Sequence, residues 1–265
     1  MPIKTFRFMI VLLGTVVVFG QMCIAGTWID DFSDRNLPDW GPPRGPQHFG
    51  GGRINDGVNA GVVDGHFHYE GKKQRTSHDL KNWGLGKIQD FSLELKFMFR
   101  NIRDILESSW TIRYASFNEE KGDFDGIMSF LWHPDPQGKP NVSFITIDRY
   151  ELRVPEDFPE FGQGWMADLA AKDNFTYEEK VWYTLRIARE GNQYTFSMGD
   201  VILFAEDDTV PMGTIELSFH GWFTIWLDDF TVTGPDVPNG GPGFLGVNPL
   251  AEQLTTMWGK LKAQN

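Results

Sequence analysis

The chain has 265 residues, with 24 Lys and Arg against 36 Asp and Glu, a formal net charge of −12, and a single cysteine. That acidity argues against nucleic acid and anionic lipid as partners, and one cysteine leaves no internal disulfide to supplement the core. Ten tryptophans exceed what a core alone usually needs, so some are expected to face a ligand.

Lys4 and Arg7 stand ahead of an apolar run from Phe8 to Phe19, and Cys23-Ile24-Ala25 puts small residues at both cleavage-determining positions. This is the pattern of a secretory signal peptide over residues 1–25, cut after Ala25. The run is short for a bilayer span and no later window approaches the needed length, so the mature chain is expected to carry no transmembrane segment. A lipoprotein alternative would anchor the chain at Cys23, but Gly20-Gln21-Met22 is a poor version of the small-residue box it requires. Removing Lys4 and Arg7 with the leader leaves 22 basic against 36 acidic side chains, a charge of −14 over 240 residues. That length suits one large β-sandwich, expected over residues 26–233. The destination is secreted, periplasmic or cell-surface.

Period-two alternation dominates from Thr27 to Thr233, bounded by Gly, Asp and Asn clusters. Gly41 to Gly52, rich in Gly and Pro, reads as a surface loop. Val62 to Tyr69 reads as a turn at Asp64-Gly65 entering a strand with Phe67 and Tyr69 inward and His66 and His68 outward. The clearest strand sets Phe91, Leu93, Leu95, Phe97 and Phe99 on one face. Further strands are expected at Trp110–Phe117, Gly126–His133, Val142–Tyr150, Val181–Arg189, Gln193–Met198, Val201–Ala205, Thr214–His220 and Phe223–Thr233. Glu190-Gly191-Asn192 forms a hairpin turn. Near the end of the last strand, Phe230 and Val232 fall out of phase with Ile225 and Leu227, which predicts a bulge. Pro155 to Asn174 reads as a long loop with a short helix over Met166–Lys172. Residues 234–248 form a linker by composition, and 249–265 an amphipathic helix with Leu250, Leu254, Trp258 and Leu261 on one face. The fold class is all-β: an antiparallel two-sheet sandwich with a short C-terminal helix.

Trp28-Ile29-Asp30-Asp31-Phe32, Val63-Asp64-Gly65-His66-Phe67, Asp90-Phe91-Ser92-Leu93-Glu94-Leu95 and Trp110-Thr111-Ile112-Arg113-Tyr114 occur in that order, followed by Trp182-Tyr183-Thr184-Leu185-Arg186-Ile187 and Trp226-Leu227-Asp228-Asp229-Phe230. Together they resemble the concanavalin A-like lectin/glucanase superfamily, whose sandwich is a jelly roll. Within it the middle of the chain is most similar to laminin-G-like domains and to the 3-keto-disaccharide hydrolases of exported bacterial proteins. The resemblance implies adjacent first and last strands. It also implies a structural Ca²⁺ built from a first-strand carbonyl, a turn-glycine carbonyl and a last-strand aspartate, which fall on Asp31, Gly65 and Asp229. Asp30 and Asp228 remain alternatives to their neighbours. Converging hard oxygens are what calcium binds, whereas clustered carboxylates without a cation repel one another.

Sugar binding needs an aromatic platform and a few polar groups. Trp110, Arg113, Trp132, His133, Tyr150, His220 and Trp222 sit on or beside strands expected to line the concave sheet. Trp110 and Arg113 cannot share a face of a regular strand, so the set is an over-inclusive one. Hydrolysis would need paired carboxyl groups, yet the superfamily's Glu-x-Asp-x-x-Glu motif is absent and no Gly-x-Ser-x-Gly elbow occurs. The sequence therefore points first to a monomeric, exported carbohydrate-binding module with a structural calcium. A glycoside hydrolase acting on modified or keto-disaccharides and a cell-surface interaction domain are the alternatives, and no catalytic residue is assigned.

Overall fold

The computed structural model describes residues 25–33, 37, 39–41, 58–71, 77–102, 108–118, 123–132, 142–153 and 163–243. The leader up to Ile24, most of the Gly41–Gly52 loop, His133 and the 249–265 helix lie outside the described residues. The chain forms two antiparallel sheets packed face to face, as the alternation predicts. In the first sheet the order is β13 (Val201–Glu206), β12 (Gln193–Met198), β11 (Trp182–Glu190), β6 (Phe91–Ile102), β15 (Phe223–Gly234), β4 (His66–Gly71) and β3 (Val58–Val63), and β1 (Gly26–Asp30) also pairs with β15. In the second the order is β10 (Gln163–Thr176), β9 (Val142–Arg153), β8 (Asp123–Trp132), β7 (Ser109–Asn118), β14 (Thr214–His220), β5 (Ser77–Asn82) and β2 (Trp40–Gly41).

The core follows from parity. Phe91, Leu93, Leu95, Phe97 and Phe99 of β6 face inward with Phe67 and Tyr69 of β4, while Trp110, Ile112 and Tyr114 of β7 and Ile215, Leu217 and Phe219 of β14 face them from the second sheet. Aromatic rings interlock at the seam: Trp110 lies edge-on to Phe97 at 4.5 Å and parallel to Phe219 at 6.3 Å, and Tyr69 stacks on Phe219 at 5.0 Å. Such pairs add to area burial through their quadrupoles. The void between the sheets, lined in part by Ile112, Tyr114, Ile127, Ile147 and Ile215, has a volume of about 10 Å³. That is room for one water and no ligand.

The first and last strands are neighbours: Gly26 to Asp30 of β1 pair with Gly234 to Phe230 of β15. The expected bulge is present, as a register shift between Asp228 and Thr231 with Asp229 at φ 52°. It keeps Ile225, Leu227, Phe230 and Val232 all inward despite their broken phase. The β3–β4 hairpin turns on Asp64 (φ 52°) and Gly65 (φ 78°), both left-handed as a tight two-residue turn demands.

Differences from the expected elements have local causes. Met166–Lys172 is not helical but belongs to the edge strand β10, paired with β9 from Gln163↔Arg153 to Thr176↔Val142. Register shifts after Asp168 and after Lys172 break the two-residue period, which hides the strand from pattern reading, and the backbone bonds offered by β9 override the weak local preference. β5 carries no strand signal in the sequence either, because Leu80 is its buried apolar residue among polar neighbours. The Gly- and Pro-rich stretch after β15 folds back as far as Gly243: the Gly240 N–H donates to the Thr27 carbonyl, the Ile29 N–H to the Gly240 carbonyl and the Gly243 N–H to the Ile29 carbonyl. Gly241 sits at φ 94° with the Ile29 carbonyl where a Cβ would be, so no other residue fits that turn.

Candidate functional site

Inward parity on the second sheet fixes what its outer face carries. On β14, Thr214, Glu216, Ser218 and His220 alternate with the core residues, and register sets Glu216 against Arg113 of β7 and Lys81 of β5, and Ser218 against Thr111 and Asp79. Beyond β8, Thr146, Asp148 and Tyr150 of β9 continue the face, with Asp168 and Met166 of β10 directly opposite Asp148 and Tyr150. Residues of this chemistry normally seek water. Here Thr111, Arg113, Asp148, Glu216 and Ser218 are all buried, none more than 7 % exposed.

Charge pairing organises one end. Arg113 Nη2 donates to Ser218 Oγ at 2.7 Å, and the Ser218 hydroxyl in turn donates to Asp79 Oδ1. Arg113 Nη1 lies 3.6 Å from Asp79 Oδ1 and 4.0 Å from Glu216 Oε2, so the two carboxylates share one guanidinium nitrogen. Burial pushes the Glu216 carboxyl above its usual range, against the pull of Arg113 and Lys81 and with the help of Asp79.

At the other end Asp148 accepts the Thr146 hydroxyl at 2.6 Å through Oδ2, while its Oδ1 is buried without a hydrogen-bond partner. Burial pushes this carboxyl up to about 7, opposed by the Thr146 bond and reinforced by the facing Asp168. The folded state therefore holds a proton between the ordinary carboxylate range and about pH 7 that the unfolded chain has released. The stabilisation is fully present in acid and is lost as pH rises through about 7. Asp148→Asn is expected to be nearly neutral at pH 4 and stabilising by on the order of 2–4 kcal/mol at pH 8, measured as thermal midpoints across the range. A variant as pH-sensitive as the parent would contradict this.

The candidates from sequence divide. Arg113, Tyr150 and His220 lie on the outer face of the second sheet. Trp110 does not: it is wholly buried between the sheets against Phe97, Phe99 and Phe219 and offers no ring to a ligand. The parity that aims Arg113 outward aims Trp110 inward. Trp132 pairs in register with Trp110 at the end of β8, and Trp222 sits in the turn between β14 and β15 with its N–H donating to Ser108 Oγ at 3.0 Å. Sequence reasoning missed Asp79, Thr111, Asp168, Glu216 and Ser218, and saw Asp148 only as part of an incomplete carboxylate motif. The signal was present only as polar residues at outward parity on strands whose inward residues are apolar.

The residues read as a calcium set come together at the bulge of β15, where β1 ends and β4 begins. Asp31 lies one residue beyond the Asp30↔Phe230 pair and Gly65 two before the Phe67↔Leu227 pair. Their side chains are engaged: Asp229 Oδ2 pairs with Lys96 Nζ at 2.5 Å, Asp31 Oδ1 accepts the Ser33 N–H at 3.0 Å, and Asp228 Oδ2 is 3.1 Å from His66 Nδ1. Asp30 is buried, accepting the Trp40 indole at 2.8 Å and the Phe32 N–H at 2.7 Å, which removes it from the set. Among the described residues no group of three or more acidic, His or Cys side chains is arranged to hold a metal.

No family model and no curated protein matches the chain. Solved structures do. A Bacillus subtilis protein of unknown function with a galectin-like fold aligns at TM-score 0.53 and 11 % identity, over 78 % of this chain and 96 % of that one. The κ-carrageenase of Pseudoalteromonas carrageenovora, in complex with an oligotetrasaccharide of κ-carrageenan, aligns at 0.51 and 10 %, over 79 % and 95 %. The exoplasmic/lumenal domain of VIP36, in its Ca²⁺- and Man3GlcNAc-bound form, aligns at 0.50 and 10 %, over 78 % and 87 %. At these identities the likeness is one of fold.

Proposed function

We infer that this chain, whose fold is the two-sheet jelly roll of the concanavalin A-like superfamily, is an exported carbohydrate-binding module that takes its glycan on the outer face of the second sheet. The observation that carries the reading is the band of hydrogen-bonding side chains there, from Asp79, Ser218 and Arg113 to Thr146 and Asp148, in which Ser218, Arg113 and Asp148 are withdrawn from water and Thr111 Oγ1 and Asp148 Oδ1 are unsatisfied. A buried hydroxyl or carboxylate oxygen with no partner costs about 1–3 kcal/mol, and sugar hydroxyls are groups that would satisfy it. Two fold neighbours, the κ-carrageenase and VIP36, were solved with sugars bound. The leader up to Ala25 supports export, and no helix of the described residues is long and apolar enough to cross a membrane.

A glycan array tests the reading, with Thr111→Val as the diagnostic variant. It removes the unpartnered hydroxyl, so its thermal midpoint is expected to rise by a few degrees while glycan affinity falls about tenfold. Failure to bind any glycan, or unchanged affinity in Thr111→Val, counts against the face. Calcium belongs to the same proposal: the Asp31 and Asp229 carboxylates and the Gly65 carbonyl would hold it, with Lys96 displaced from Asp229. An unchanged thermal midpoint in EDTA and in millimolar Ca²⁺ would remove it.

One observation favours a hydrolytic second reading, namely that Asp79 shares Arg113 Nη1 with Glu216, whose carboxyl burial pushes above its usual range. An acid and a base separated by environment are what glycoside cleavage uses. Release of new reducing ends from a bound glycan, lost in Glu216→Gln, would establish it. Binding without release leaves the lectin-like reading.

A further inference from the structure

Asp148 and Asp168 stand directly opposite one another across β9 and β10 on the same outer face, one at the floor and one at the exposed rim. Neither makes an ion pair among the described residues. The nearby cations are committed elsewhere: Arg113 to Asp79, Glu216 and Ser218, and Arg149, on the opposite face of β9, to Glu151 and Asp207. On β9 itself the neighbours along this face are Thr146 and Tyr150. The floor carboxylate has one oxygen satisfied by Thr146 and the other buried, with no donor on it but the proton it shares with the facing Asp168. Two facing carboxylates without a cation repel, and the proton that Asp148 retains is the fold's way of relieving that repulsion. A guest cation would do the same in that proton's place. The register shift just after Asp168 lies at the sheet edge, where a chain can cross, and Met166 in the next row is more than half exposed, an apolar surface for a sugar ring.

We propose that Asp148 and Asp168 form a receptor for a primary ammonium group, so that the glycan taken by this face carries a free amine. The proposal rests on the carbohydrate-binding reading and narrows it to amino sugars without N-acetylation. Anionic sugars, sulfated or uronic, are excluded by the same pair.

The test is calorimetric titration at pH 7 with a β-1,4-linked glucosamine oligomer, its fully N-acetylated counterpart and the corresponding glucose oligomer. The amine oligomer is expected to bind about tenfold or more tighter than the other two. Asp148→Asn and Asp168→Asn are each expected to abolish that preference, and Asp168→Asn, at the exposed rim, to leave the weak binding of the neutral oligomers unchanged. Neutral oligomers that bind as tightly as the amine, or a preference that survives both variants, overturn the receptor and leave the carbohydrate reading standing. No binding by any oligomer overturns both. Trilysine is the control for a protein ammonium group: an Asp148-dependent affinity equal to that of the amine oligomer would overturn the sugar assignment.

Discussion

Arg113→Met is expected to destabilise the domain by about 3–5 kcal/mol at pH 7, because it leaves Asp79 and Glu216 facing one another in a buried position with no guanidinium between them. The bond from Nη2 to Ser218 is lost as well, so the hydroxyl that holds Asp79 is freed. At pH 4 the loss is expected to shrink, since the Glu216 carboxyl, raised by burial, is then uncharged. Adding Glu216→Gln to Arg113→Met should recover part of the loss at pH 7 and little at pH 4. Denaturant titrations of the three proteins at both pH values check this. A cost below about 1 kcal/mol would mean that the cluster is solvated like a surface pair.

Trp110→Ala is expected to cost a similar amount, about 3–5 kcal/mol, for an unrelated reason. Its indole fills the seam between the sheets, edge-on to Phe97 and Phe99 and parallel to Phe219, and its removal opens a cavity that rigid strands on both sides cannot close. The indole Nε1 is buried without a hydrogen-bond partner. Trp110→Phe therefore gives up no hydrogen bond and should cost far less than the alanine variant. Neither change is expected to alter glycan affinity in protein that remains folded, whereas a ligand-stacking role would demand that both do. Thermal midpoints and the array read the two effects separately.

Much of the sandwich was legible because a strand's two-residue period writes its buried face directly into the sequence. Phe91 to Phe99 could be assigned inward without any partner strand, and the phase break before Phe230 announced the bulge at Asp229. The edge strand β10 was not legible, since its two register shifts erase the period and its backbone pairs on one side only. The adjacency of first and last strands that the resemblance implies is present in β1 and β15. Asp229 of the expected calcium set is paired with Lys96 of β6, a contact that no local pattern shows.

By itself the sequence determined which residues point inward, where the chain turns and that the product is an acidic all-β sandwich, since each of these depends on residues a few positions apart. Only the tertiary structure decided which outward residues meet. Asp79 and Ser218 are 139 positions apart, and Arg113 and Ser218 105 apart, yet they form one network because β5, β14 and β7 lie side by side. Strand order is set by how all the apolar faces close on one another at once, and no local pattern encodes it. The outer face is a by-product of that closure, which is why mostly aromatic residues drew attention in the sequence while carboxylates and hydroxyls around Arg113 make up much of the face.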